Sequence, residues 1–154
     1  MKILVVGLGS MGRRIIRLLK KIESDIQIVG VDSKIERCER AEKEFGIDTC
    51  LNLAEAFETK TPDLVVISPS PHSHAAIIKE SLMAGCHVFT ELNLVADGYE
   101  ENIKLANDLK KTLFLSSTFL YRDEIQYIEN QVKHSSGRLN YIYHVGQYLP
   151  DWHP

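Results

Sequence analysis

Short, unbroken apolar runs alternate along this chain with longer stretches whose apolar residues recur every three or four positions. Ile3–Val6, Ile26–Val31, Leu64–Ile67, His87–Thr90 and Leu113–Ser116 predict buried strands, with a short one at Thr49–Leu51. Between them, helices are predicted near Met11–Glu23, Ile35–Phe45, Leu53–Glu58, Ala75–Ala84, Tyr99–Lys110 and Glu124–His134. In the first of these, Ile15, Ile16, Leu18, Leu19 and Ile22 keep a 3.6-residue period. Gly46 and Gly85 stand where helices should stop. Leu139–Gly146 alternates enough to predict a last strand. Strand and helix in turn, joined by short connections, predict right-handed crossovers and a doubly wound α/β domain with a mostly parallel sheet.

Composition narrows the class. The chain has 154 residues, of which 44% are hydrophobic and 25% charged, enough for one real core and too apolar for a disordered chain. The longest apolar runs are far too short to span a bilayer, and no small-residue cleavage site follows the first, so neither membrane nor secretory signal is expected. A net charge of −3 argues against a nucleic-acid partner, which needs a basic surface. Cys38, Cys50 and Cys86 lie far apart without a C-x-x-C, the pattern of buried thiols in a reducing cytoplasm.

The candidate chemistry starts at Gly7-Leu8-Gly9-Ser10-Met11-Gly12, a G-x-G-x-x-G between the first strand and first helix. Its first glycine allows a tight turn, its second a close approach by a pyrophosphate, and its third close helix–strand packing. The helix start offers unpaired N–H donors and partial positive charge. Asp32 ends the second strand 20 residues after Gly12, where an acid can hold the adenosine ribose. Together these predict dinucleotide binding on a Rossmann fold. A glycine turn kept for packing alone, or S-adenosylmethionine or flavin on a related turn, remains open. Asp32 favours NAD, because a carboxylate repels a 2′-phosphate; Ser33 and Lys34 keep NADP in play.

With Ser68-Pro69-Ser70-Pro71-His72-Ser73-His74, Ala84-Gly85-Cys86-His87-Val88-Phe89-Thr90-Glu91 and Thr118-Phe119-Leu120-Tyr121-Arg122, the turn and Asp32 resemble the glucose–fructose oxidoreductase/inositol dehydrogenase family (Gfo/Idh/MocA). The resemblance implies an NAD(P)-dependent oxidoreductase acting on a sugar, polyol or sugar-nucleotide hydroxyl or carbonyl, homo-oligomeric as the full-length protein. It implies that residues 1–146 are the cofactor domain. Residues 147–154 would begin a linker to a C-terminal substrate domain that is absent here. By position, Ser68 and Pro69 would line the cofactor cleft, His74 would match the family histidine, and Glu91 would lie beside the nicotinamide. The expected cofactor set is thus Gly7, Gly9, Ser10, Met11, Gly12, Asp32, Ser68, Pro69, His74 and Glu91.

One departure weighs against catalysis. Leu92 stands where the family carries its catalytic lysine, and leucine can neither donate nor titrate. Asn93 replaces the following proline. Lys79, Lys104 and Arg122 are candidates to compensate, and no catalytic residue is assigned. The alternative is a dinucleotide-binding sensor or assembly subunit that has lost its chemistry. No metal is expected, since His72 and His74 lack partner ligands in sequence. No G-x-S-x-G elbow supports a hydrolase. The charged run Lys34–Glu44 reads as a solvated helix face, and Tyr141, Tyr143, Tyr148 and Trp152 as either a stacking surface or sheet packing.

Overall fold

The computed structural model describes residues 1–91, 95–140, 142 and 144. The chain forms two units, residues 1–117 and 118–154.

Among its described residues the first unit contains six strands, β1 (Lys2–Val6), β2 (Gln27–Val31), β3 (Asp48–Cys50), β4 (Leu64–Ile67), β5 (His87–Glu91) and β6 (Leu113–Ser116). They pair in the order β3-β2-β1-β4-β5-β6, every neighbour parallel. Helices α1 (Ser10–Ile22), α2 (Ile35–Phe45), α3 (Leu53–Lys60), α4 (His74–Met83) and α5 (Tyr99–Asp108) make the crossovers. Because strand side chains alternate between faces, β1 sends Ile3 and Val5 to one side and Leu4 and Val6 to the other. Ile3 and Val5 pack with Val66 against Ile16 of α1 and Ala41 of α2. Leu4 and Val6 pack with Val65 and Ile67 against Ala56, Ile78, Leu82 and Ala106 of α3, α4 and α5. Both faces are covered, which is why these strands read as unbroken apolar runs.

The strand order reverses between β1 and β4. Chains leave those two neighbours in opposite directions, which opens a crevice at their carboxyl ends.

In the first unit the predicted elements are found, with small boundary shifts. The third strand lies one residue earlier than expected because Asp48, Thr49 and Cys50 register with Val29, Gly30 and Val31. α5 ends at Asp108 and not at Lys110, which takes a left-handed φ of 54°. Gly46 caps α2 in the left-handed region at φ 61°, and the Asn52 side chain caps α3 by accepting from the Glu55 N–H at 2.9 Å.

In the second unit, a 3-10 turn at Thr118–Tyr121 leads into α6 (Asp123–His134). There the Arg122 guanidinium lies 4.7 Å from the centre of the Phe119 ring, a cation–π contact. The expected strand at 139–146 is not formed by Leu139, Asn140, Ile142 or His144; its other residues lie outside the described ones, as do Tyr148, Trp152 and the expected linker 147–154. Among the described residues no helix is long and apolar enough to cross a membrane.

Leu82, fully buried on α4, tests the packing. Leu82→Ala should lower unfolding free energy in a urea titration by about 2–5 kcal/mol. The adjacent, exposed Met83→Ala should change it by no more than about 0.5 kcal/mol.

Candidate functional site

At the carboxyl end of β1 the three glycines do three different jobs. Gly7 takes φ +88° and donates its N–H to the Val31 carbonyl at 2.8 Å. A Cβ there would stand 2.7 Å from the Pro69 nitrogen. At Gly12 a Cβ would be 1.8 Å from the Gly7 carbonyl oxygen, so the first turn of α1 can rest on the loop only without a side chain. Gly9 differs: a Cβ on it would meet nothing within 4 Å. It is also the N-cap of α1 and makes no side-chain cap. Bare backbone at a helix start, opening onto free space, is the shape and polarity that an anionic group needs. Ser10 and Met11 follow, both exposed.

The loop after β4 is tied to this turn. Ser68 donates its N–H to the Val6 carbonyl at 2.9 Å, and its hydroxyl lies 3.3 Å from the Val6 and 3.4 Å from the Gly7 carbonyl oxygens. Ser68 and Pro69 therefore form the opposite lip of the crevice.

Asp32 is 7% exposed, and three donors hold its carboxylate. Oδ2 accepts from the Leu8 N–H at 2.9 Å and from Arg37 at 3.1 Å; Oδ1 accepts from the Lys34 N–H at 3.0 Å. The acid thus fastens the glycine loop to the start of α2. Cys38, fully inside, donates its thiol to the Asp32 carbonyl. Arg37 was not legible in the charged run Lys34–Glu44. That run is mostly exposed as expected, but Arg37 turns back onto Asp32, and Glu44 pairs with Arg13 and Arg17 of α1. The available signal was its place on the first turn of α2, five residues beyond an acid at a strand end.

His74 lies inside the protein. Its side chain is 1% exposed, and both ring nitrogens are engaged by protein. Nε2 lies 3.1 Å from the Pro69 carbonyl oxygen, which can only accept, so the proton sits there; Nδ1 faces the Thr90 hydroxyl at 3.3 Å. His74 pins the β4 lip to the end of β5, and Thr90, which the sequence did not single out, is its partner. His72 is exposed on the preceding turn.

Glu91 closes the row at the end of β5. Its Oε1 is buried with no hydrogen-bond partner among the described residues, and burial pushes its carboxyl above the ordinary range. Leu92 and Asn93 lie outside the described residues. Lys79 and Lys104 are exposed within α4 and α5. Cys38, Cys50 and Cys86 are buried free thiols, and burial raises those of Cys50 and Cys86, which makes them poor nucleophiles. Among the described residues no group of three or more His, Cys, Asp or Glu converges to hold a metal.

Glu91 carries a pH signature. A carboxyl raised in the folded state stabilises below its unfolded value, and that stability is lost as pH climbs through the folded value. The melting temperature of the wild type should therefore fall, just above the ordinary glutamate range, relative to Glu91→Gln, whose thermal profile should be flatter there.

Comparison with known proteins agrees with this geometry. The model of the Gfo/Idh/MocA oxidoreductase family, NAD-binding Rossmann fold, matches residues 1–117. Among curated proteins no match is found. Of solved structures, the WlbA dehydrogenase from Bordetella pertussis, in complex with NADH and UDP-GlcNAcA, superposes with TM-score 0.80 at 17% identity, over 86% of this chain and 41% of that one. Myo-inositol 2-dehydrogenase from Lactobacillus plantarum gives 0.74 at 23%, over 86% and 41%. KijD10, a 3-ketoreductase from Actinomadura kijaniata in complex with NADP and TDP-benzene, gives 0.75 at 20%, over 86% and 42%. At such identities the likeness establishes the fold, and the chain spans about two fifths of the length of these structures. The match over residues 1–117 is what places this chain in the Gfo/Idh/MocA oxidoreductase family, whose fold is the NAD-binding Rossmann fold.

Proposed function

We propose that this chain is the cofactor domain of an NAD(P)-dependent oxidoreductase acting on a hydroxyl or carbonyl of a sugar, polyol or sugar nucleotide. In this reading residues 1–146 hold the dinucleotide, and 147–154 begin a linker to a substrate domain. The observation that carries it is the open space over Gly9, at an uncapped helix start, beside a buried carboxylate bonded to the same loop. A glycine turn kept only for packing has no need of that vacancy.

The residues divide the work by position. Backbone N–H groups of Gly9, Ser10 and Met11 meet the diphosphate, and the α1 dipole adds to the attraction. Asp32 accepts from the adenosine ribose. Ser68 and Pro69 bound the middle of the cleft, with His74 holding them in position. Glu91, whose buried Oε1 has no partner among the described residues, faces the nicotinamide end. When bound, the nicotinamide supplies hydride transfer, and the protein supplies its orientation. The substrate class rests on the family and on the sugar-nucleotide and polyol dehydrogenases among the solved structures.

A second reading, a dinucleotide-dependent sensor or assembly subunit without catalysis, rests on Leu92 in the lysine position. If it holds, Leu92→Lys in the full-length protein should raise NAD(H) turnover on a sugar and polyol panel by orders of magnitude over an inert wild type. Strong wild-type turnover would end it.

Glycine variants separate binding from packing. Gly9→Ala should keep the fold, losing about 1 kcal/mol or less, yet weaken NADH binding in calorimetry at least tenfold. Gly12→Ala should lose both stability, by about 1–3 kcal/mol or more, and binding. No NADH binding by the wild type at millimolar ligand would overturn the proposal.

A further inference from the structure

We infer that Glu91 makes this crevice tell the two redox states of its dinucleotide apart, holding the cationic ring of NAD+ in preference to the neutral ring of NADH. The inference rests on the reading above that the crevice holds a dinucleotide with its nicotinamide end at Glu91. It concerns binding alone, so it applies to an enzyme and to a sensor alike.

Strand register sets this residue at the lip. Thr90 pairs with Ile67, so the next residues, Glu91 and Ser68, leave β5 and β4 side by side. Side chains alternate along a strand. Phe89 packs with the cluster under α1 and Thr90 turns to His74 on the opposite face, so Glu91 stands on the α1 side, with the Ser68 hydroxyl and the glycine turn. The described surroundings bring its carboxyl no counter-charge. Neither β4 nor β6 contains a titratable residue. At the start of α1, Arg13 pairs with Glu44 and Arg14 is exposed. On the loop after β4, His72 is exposed and His74 is engaged by Pro69 and Thr90. The Glu91 Oε1 is buried with no hydrogen-bond partner among the described residues, and burial is what raises the carboxyl.

The two forms of the ring carry the same carboxamide and differ little in size, but the oxidised ring is positively charged and the reduced ring is not. Against a buried carboxyl, only the oxidised ring supplies the missing counter-charge. An opposite charge close by favours the ionised form of a carboxyl by about tenfold or more. Diphosphate and ribose contacts are common to both forms and cancel in the ratio of their affinities. Because burial favours the neutral acid before ligand arrives, NAD+ must drive a proton off Glu91, whereas NADH gains much less by doing so. The sign follows by linkage. From the ordinary glutamate range upward, affinity for NAD+ climbs with pH relative to NADH, and the ratio levels off above the raised value of the free protein.

Titration calorimetry of NAD+ and NADH against the wild-type chain and Glu91→Gln tests this, from the ordinary glutamate range to above neutral pH, with thermal melts to confirm folding. In the wild type the NAD+:NADH affinity ratio should rise about tenfold or more across that range and then level off. Repeating the titration in buffers of different ionisation enthalpy should show protons released on NAD+ binding and fewer on NADH binding. Glu91→Gln should lower the ratio about tenfold at the upper end, flatten its pH dependence and abolish the difference in proton release. Should that variant not fold, the wild-type ratio and proton release decide the matter by themselves. A wild-type ratio that stays flat with pH, or a ratio and proton release unmoved by Glu91→Gln while NADH still binds, would overturn the inference alone. Binding of neither dinucleotide by the wild type would overturn the underlying reading with it.

Discussion

Close contact between main-chain segments is the constraint on which the crevice depends. The first turn of α1 lies on the Gly7 carbonyl, and Gly7 lies against the Ser68–Pro69 peptide, both at distances that exclude a methyl group. Two stretches far apart in sequence, the glycine turn with the start of α1 and the Ser68–Pro69 peptide, thus meet in close contact. Their meeting point coincides with the reversal of strand order between β1 and β4. Had Gly7 or Gly12 carried bulk, α1 would stand off the sheet and its free N–H groups would point elsewhere.

Around that contact, polar groups mostly serve one another. Asp32 bonds the glycine loop to the start of α2, Ser68 bonds the β4 loop to β1, and His74 bonds the β4 loop to β5. A buried polar group without a partner costs more than a made hydrogen bond contributes, so this internal satisfaction holds the site's shape. The exceptions carry the functional reading. Gly9 offers backbone with nothing over it, and the Glu91 Oε1 finds no donor among the described residues.

The fold was legible because its signals are local. Leu64–Ile67 and Leu113–Ser116 were read to the residue, since a strand buried on both faces is an apolar run with abrupt ends. β3 was displaced by one position because three residues carry too little pattern, and pairing with β2 sets its register. The glycine turn and Asp32 were legible through spacing, which reflects the fixed geometry of a strand–turn–helix unit. What could not be read was the partnership of side chains distant in sequence. Nothing in the neighbours of His74 announces its partner Thr90, sixteen positions on. Arg37 vanished into a charged helix for the same reason. Sequence spacing locates main chain well; it does not say which way a long side chain turns.

The histidine between Pro69 and Thr90 has a mechanical consequence. Loops after adjacent parallel strands usually move independently, each hinged on its own strand end. Here an imidazole inside the protein joins them as a rigid rung, and the next residue along β5 is Glu91. Displacement of the proline lip by an incoming molecule would be transmitted through that rung to the strand end bearing the Glu91 Oε1, which has no partner among the described residues. The two ends of the groove are in that sense geared together.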